Sequence, residues 1–135
     1  MTLRRSLYAR LQPFQQDGNY LWTAFGPTNV AVHRVSAALE LGDGGTAVEF
    51  AKAVRPGQLP VLERRAHHLL DIARGYGLWG KPTEATRTLL VAEKLAPEEV
   101  RIQPGVRALV AELLHKQPRH IPELRALAAR VGAVA

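Results

Sequence analysis

Five histidines, at positions 33, 67, 68, 115 and 120, are the side chains with the most capacity for chemistry in this 135-residue sequence. His67 and His68 are adjacent, and neighbouring side chains on a helix point about 100° apart, so the two cannot share one metal ion without distortion. No histidine pair stands four residues apart around a carboxylate, the arrangement a zinc hydrolase needs. The chain has no cysteine, which excludes a disulfide scaffold, a thiol nucleophile and a thiolate metal site. Gly42-Asp43-Gly44-Gly45 is rich in glycine, but a phosphate-cradling loop needs a preceding strand and a Lys-Ser/Thr pair. We read it as a turn that uses positive φ angles at low cost. Glu63-Arg64-Arg65 and Glu98-Glu99 read as solvated helix starts. No motif places a serine beside a histidine and a carboxylate, so we expect no enzyme activity, no metal and no cofactor.

The formal charge is +6, which raises the question of nucleic acid, and the position of the charges bears on it. Residues 1–34 carry four arginines against one aspartate, and residues 100–135 six cations against two acids. Between them, eight cations meet nine acids. The excess therefore sits at the two ends, and the few aromatics do not accompany the arginines as a stacking surface for bases would require. Leu124-Arg125-Ala-Leu-Ala-Ala-Arg130-Val-Gly132 reads like the first helix and turn of a DNA-binding motif, but a recognition helix needs about ten further residues. We expect a basic capping helix there.

The elements that must position these groups are helices. Apolar residues recur at three and four, and glycine and proline fall between the periodic stretches. Leu3, Leu7 and Leu11 form a first stripe that ends at Pro13, and a cluster of Tyr20, Leu21, Trp22 and Phe25 follows. Thr28 or Asn29 is placed to cap a helix with Val32, Val35, Ser36 and Leu39 inward. Thr46 starts the next, with Ala47, Phe50, Ala51 and Val54 inward. Pro60 sits at a first-turn position before a helix apolar over much of its circumference, Val61 to Tyr76, with Gly77-Leu78-Trp79-Gly80 as the turn. Pro82 and Thr83 open a helix with Ala85, Leu89, Leu90, Ala92 and Leu95 inward. A third long helix carries Val106, Leu109, Val110, Leu113 and Leu114, with Glu98 and Glu99 near its start and Pro104-Gly105 delaying it, and a last one carries Leu124, Leu127, Ala128 and Val131. No segment approaches the ~20 apolar residues that span a bilayer, and we expect a soluble, cytoplasmic protein.

Ala47 and Ala85 occupy equivalent places in two hairpins and stand 38 residues apart, a period typical of stacked helix pairs that cannot bury their apolar faces alone. In the second hairpin, Leu69-x2-Ile72-Ala73-x2-Tyr76, then Ala85-x3-Leu89-x2-Ala92, then Pro97, resembles a tetratricopeptide repeat. The fold expected is all-α, with about three antiparallel hairpins stacked as a tetratricopeptide-like α-solenoid over residues 22–135, after an N-terminal helix and loop over 1–21. More closely, AFGPTNVAVHRVSAALELGDGGTAVEFAKAV and LPVLERRAHHLLDIARGYGLWGKPTEATRTLLVAEKLAPEEVR resemble the C-terminal helical-repeat region of large actinobacterial XRE-type transcriptional regulators. That resemblance implies a ligand- or partner-sensing region downstream of a helix-turn-helix domain. Residues 1–21 do not resemble such a domain, so DNA contact is expected only through a helix-turn-helix absent from this chain. The sequence is then either the regulatory half of a longer regulator or a free-standing homologue of it.

In hairpins of this kind the first helix of each pair lines the inner groove. The candidate groove residues are His33, Arg34, Ala37 and Glu40 on the first pair, and His67, Leu70, Asp71, Arg74 and Leu78 on the second. Arg107, Val110 and Leu114 are candidates on the third. Such a groove would take a peptide, a protein partner or a small effector, with His33, His67 and Arg74 suited to an anion or a carboxylate. The alternatives are a nucleic-acid binder acting through its basic ends, and an architectural module whose groove is covered by residues 1–21 or by a second copy in a homodimer.

Overall fold

The structure, a computed structural model, describes residues 27–116 and 122–133. The expected Leu3/Leu7/Leu11 helix, the aromatic cluster at 20–25, the boundary at residue 21 and His120 lie outside the described residues. Those residues form seven α-helices and no strand. They are α1 (Pro27–Glu40), α2 (Gly44–Lys52), α3 (Leu62–Leu78), α4 (Pro82–Leu95), α5 (Pro97–Ile102), α6 (Pro104–Lys116) and α7 (Pro122–Val131), with a 3₁₀ turn at Pro56–Gln58 before α3.

Local chemistry sets the boundaries. Three helices end on a glycine in the left-handed region, Gly42 after α1, Gly80 after α3 and Gly132 after α7, with φ of 77°, 78° and 75°. At each, the next amide reaches back five residues, Asp43 to the Ala38 carbonyl, Lys81 to Tyr76 and Ala133 to Ala128, so the last carbonyls of the helix are satisfied. Five helices open on proline, whose missing N–H costs nothing in a first turn. The residue before a proline is pushed out of the helical region. Gln103 adopts φ −75°, ψ 117°, and this interrupts what the sequence suggested was one long third helix. The segment from Pro97 to Ile102 is instead a separate short helix, α5. Pro60 precedes α3 rather than sitting in its first turn, and Gly77 and Leu78 belong to the last turn of α3. The turn is thus Trp79 to Lys81.

The start of α2 also differs from the sequence expectation. Asp43, not Thr46, caps the helix: its carboxylate accepts from the Thr46 amide at 3.1 Å and from the Thr46 hydroxyl at 2.7 Å. These two bonds hold the Asp43 carboxyl below the usual carboxylate range. Of the four-residue run, only Gly42 uses a positive φ. Gly44 and Gly45 lie inside α2. A Cβ on Gly44 would collide with the Gly75 carbonyl and would stand 2.7 Å from the Trp79 amide, whereas Gly45 lies under the Trp79 indole. These glycines permit close approach of α2 to α3.

Consecutive helices pack as pairs, α1 with α2, α3 with α4 and α6 with α7, and α3 touches α1, α2, α4, α5 and α6. Ala47 and Ala85 are each the fourth residue of their helix, fully buried, and each donates its amide to the N-cap carbonyl, of Asp43 and Lys81, at 3.0 Å. One cluster joins Val35, Ala38, Leu39, Ala47 and Ala51 with Phe50 and Ile72. The larger one runs from Leu70 and Ala73 through Leu89, Val100 and Leu113 to Val131, with Tyr76 half-buried against it. Burial of Leu-sized side chains at about 1.5–3 kcal/mol each is the main stabilising term.

Candidate functional site

The period of α3 puts Glu63, His67, Leu70 or Asp71, Arg74 and Leu78 on one strip, since residues three and four apart share a helix face. Three adjoining hollows follow this strip. The middle one, of about 130 Å³, is lined by His67, Leu70, Asp71 and Arg74 of α3, Leu89 of α4, Gln103, and Gly105, Val106 and Leu109 of α6. A second shares Arg74, Gly105 and Leu109 and continues to Leu39, Leu78 and Glu112. A third shares His67 and Asp71 and continues to Val32, Leu59, Glu63, Arg64 and His68. The strip is therefore bordered by α1 residues towards its two ends and by α6 along its middle.

The middle hollow has an apolar floor of Leu70, Leu89, Val106 and Leu109 and a polar rim. His67 Nε2 stands 3.4 Å from Glu99 Oε2 and 3.4 Å from Gln103 Nε2. Arg74 Nη1 is 3.9 Å from Asp71 Oδ1, too long for a hydrogen bond. The Asp71 side chain is 24% exposed and that of Arg74 53%. Burial pushes the Asp71 carboxyl above its ordinary value, opposed by the positive charge of Arg74 and more weakly by His68 and His67. His68 turns the other way, towards α2. Its Nε2–H donates to the Ala51 carbonyl at 3.2 Å, and because a carbonyl only accepts, Nδ1 carries a bare lone pair that no group satisfies among the described residues. Burial lowers the His68 pKa by penalising the imidazolium.

Of the residues singled out from sequence, His67, Leu70, Asp71 and Arg74 share the middle hollow, and Leu78 lines the second. Leu70 is also part of the larger core. His33, Ala37, Glu40 and Arg107 are exposed and line none of the three hollows. The Arg34 guanidinium lies 4.2 Å over the Phe50 ring, a cation–π contact that joins α1 to α2. Val110 and Leu114, expected on the groove, are buried in the core and line none of the three hollows, while Val106 and Leu109 of the same core also line the middle hollow. Sequence reasoning missed Gln103, Glu99 and Gly105 as rim groups. Pro97 and Pro104 were the available signal, because each forces the preceding residue to be extended and so turns Gln103 towards α3.

Among the described residues, no three of His, Asp and Glu come close enough to hold a metal ion, and no helix is long and apolar enough to cross a membrane. Comparison with family models, with curated proteins and with solved structures finds no match for the chain.

Proposed function

We propose that this chain is a non-catalytic helical-repeat domain, a regulatory module of the kind that accompanies a helix-turn-helix in XRE-type regulators, and that it binds a peptide, a protein partner or a small effector along α3. The observation that carries this reading is the middle hollow, where His67, Asp71 and Arg74 stand over a floor of leucines and a valine. A small concave site with an apolar base and a few convergent polar groups is the usual form of a ligand site. Pairwise packing of α1–α2, α3–α4 and α6–α7 supports a stack of antiparallel hairpins in which α1, α3 and α6 line the inner face. Arg101 and Arg130 both engage Glu93, which weakens the case for the basic C-terminal segment as a nucleic-acid surface.

Thermal shift and solution mass under titration with small metabolites and short peptides test the reading. We expect at least one class to raise the melting temperature, and Arg74→Ala or His67→Ala to weaken its binding about tenfold or more, the size of one lost charge-assisted hydrogen bond. Binding constants unchanged in both variants would move the site elsewhere.

A further inference from the structure

The rim of the middle hollow presents two opposite charges side by side, and neither is fully partnered. Asp71 accepts no hydrogen bond among the described residues, and its pairing with Arg74 is only the 3.9 Å contact. The Arg74 guanidinium, half-exposed, has donors left for a planar anion. Beneath them the floor of Leu70, Leu89, Val106 and Leu109 is apolar. In an α-amino acid the ammonium nitrogen and the carboxylate carbon lie about 2.5 Å apart across one Cα, so one small molecule carries both complementary charges at a comparable spacing. A hollow of about 130 Å³ falls below the ~300 Å³ at which drug-sized sites begin, and suits a molecule of amino-acid size.

We propose that the middle hollow binds a free apolar α-amino acid as its zwitterion, with the ammonium on Asp71, the carboxylate on Arg74 and the side chain on the Leu70–Leu109 floor. The inference rests on the reading of this hollow as a ligand site and names the ligand class. Gln103 and His67 stand at the rim as further hydrogen-bonding groups. The burial that raises the pKa of the Asp71 carboxyl also makes the carboxylate a stronger acceptor, and an incoming ammonium offsets the hydration that burial removes from it.

Calorimetric titration with L-leucine, N-acetyl-L-leucine, L-leucinamide and a set of random hexapeptides tests it on the whole chain. L-leucine should bind and raise the melting temperature, and the acetylated and amidated forms should each bind at least tenfold more weakly. Asp71→Asn and Arg74→Gln should each lose L-leucine binding while circular dichroism shows the helices intact. N-acetyl-L-leucine or L-leucinamide binding as tightly as L-leucine would overturn the zwitterion. Hexapeptides that bind in an Arg74-dependent way, with L-leucine silent, would overturn the ligand class and leave the site. No Arg74-dependent binding by any of these probes would remove both.

Discussion

Asp71 is a carboxylate that the fold partly strips of water without giving it a hydrogen bond among the described residues. Its pKa in the folded chain lies above its ordinary 3.8, so the native state holds this proton more tightly than the unfolded one. Stability therefore falls as pH rises from the unfolded value through the folded one, and the penalty persists at neutral pH. Asp71→Asn keeps the shape and removes the charge, so its melting temperature at pH 7 should exceed that of the parent, with the gap closing below about pH 3.8. Thermal melts of the two proteins across pH 3 to 8 measure this, and an Asn variant less stable at pH 7 would make Asp71 a structural group. A residue that costs stability and yet faces a hollow fits a ligand role better than a packing role. The sequence places His67 on the groove strip and His68 on a different face of α3, but it does not supply the partner of His68. That partner, the Ala51 carbonyl, lies 17 residues away along the chain.

At the scale of elements, the crossing of α2 and α3 depends on a pair of glycines, one of which, Gly44, a sequence reading assigns to turn chemistry. Gly44 and Gly75 face each other, and a Cβ on Gly75 would stand 2.9 Å from Val48 Cγ2 and 3.2 Å from the Gly44 carbonyl. Gly44→Ala would press its methyl against backbone atoms of Gly75 and Trp79, which cannot swing aside as a flexible side chain can. We expect it to cost about 2–3 kcal/mol, at the upper end of ordinary overpacking. Gly105→Ala is the matched control: it lies in the first turn of α6 with nothing within 4 Å, and should be neutral or stabilising by up to about 0.5 kcal/mol. Urea denaturation of both variants checks the pair, and equal effects would mean that α2 and α3 do not need this approach. Glycine in a sequence announces that a Cβ is unwelcome but not why; Gly42 is required by φ and Gly44 by its neighbour. On α6, which starts afresh after the break at Gln103–Pro104, Val106, Leu109, Val110 and Leu114 all enter the core, and of these Val106 and Leu109 also line the hollow.

Across the whole molecule, the spacing of Ala47 and Ala85 was enough to show equivalent helix pairs, whereas the tie that binds the C-terminal helices together was not visible in any local pattern. Glu93 of α4, with its side chain 10% exposed, receives Arg130 of α7 through Nε at 2.9 and 3.0 Å and Nη2 at 2.8 Å. Arg101 of α5 approaches the same carboxylate at 3.7 Å. One acid thus holds three helices, 37 residues of chain separating it from its main partner. The two partners are not equivalent on deletion. Arg130→Ala leaves a buried carboxylate with only the longer contact to Arg101, and should cost about 2–3 kcal/mol, reduced from the ~3–5 of a wholly buried pair because the Arg130 side chain is 38% exposed. Glu93→Leu fills the same space with apolar atoms and frees two arginines that water can solvate, so it should change stability by about 1 kcal/mol or less. The double variant should then recover most of what Arg130→Ala loses, giving a coupling free energy of about 2 kcal/mol. Guanidinium denaturation of the four proteins measures the cycle; equal losses in the two single variants would mean that the pair contributes by its attraction rather than by relieving a buried charge.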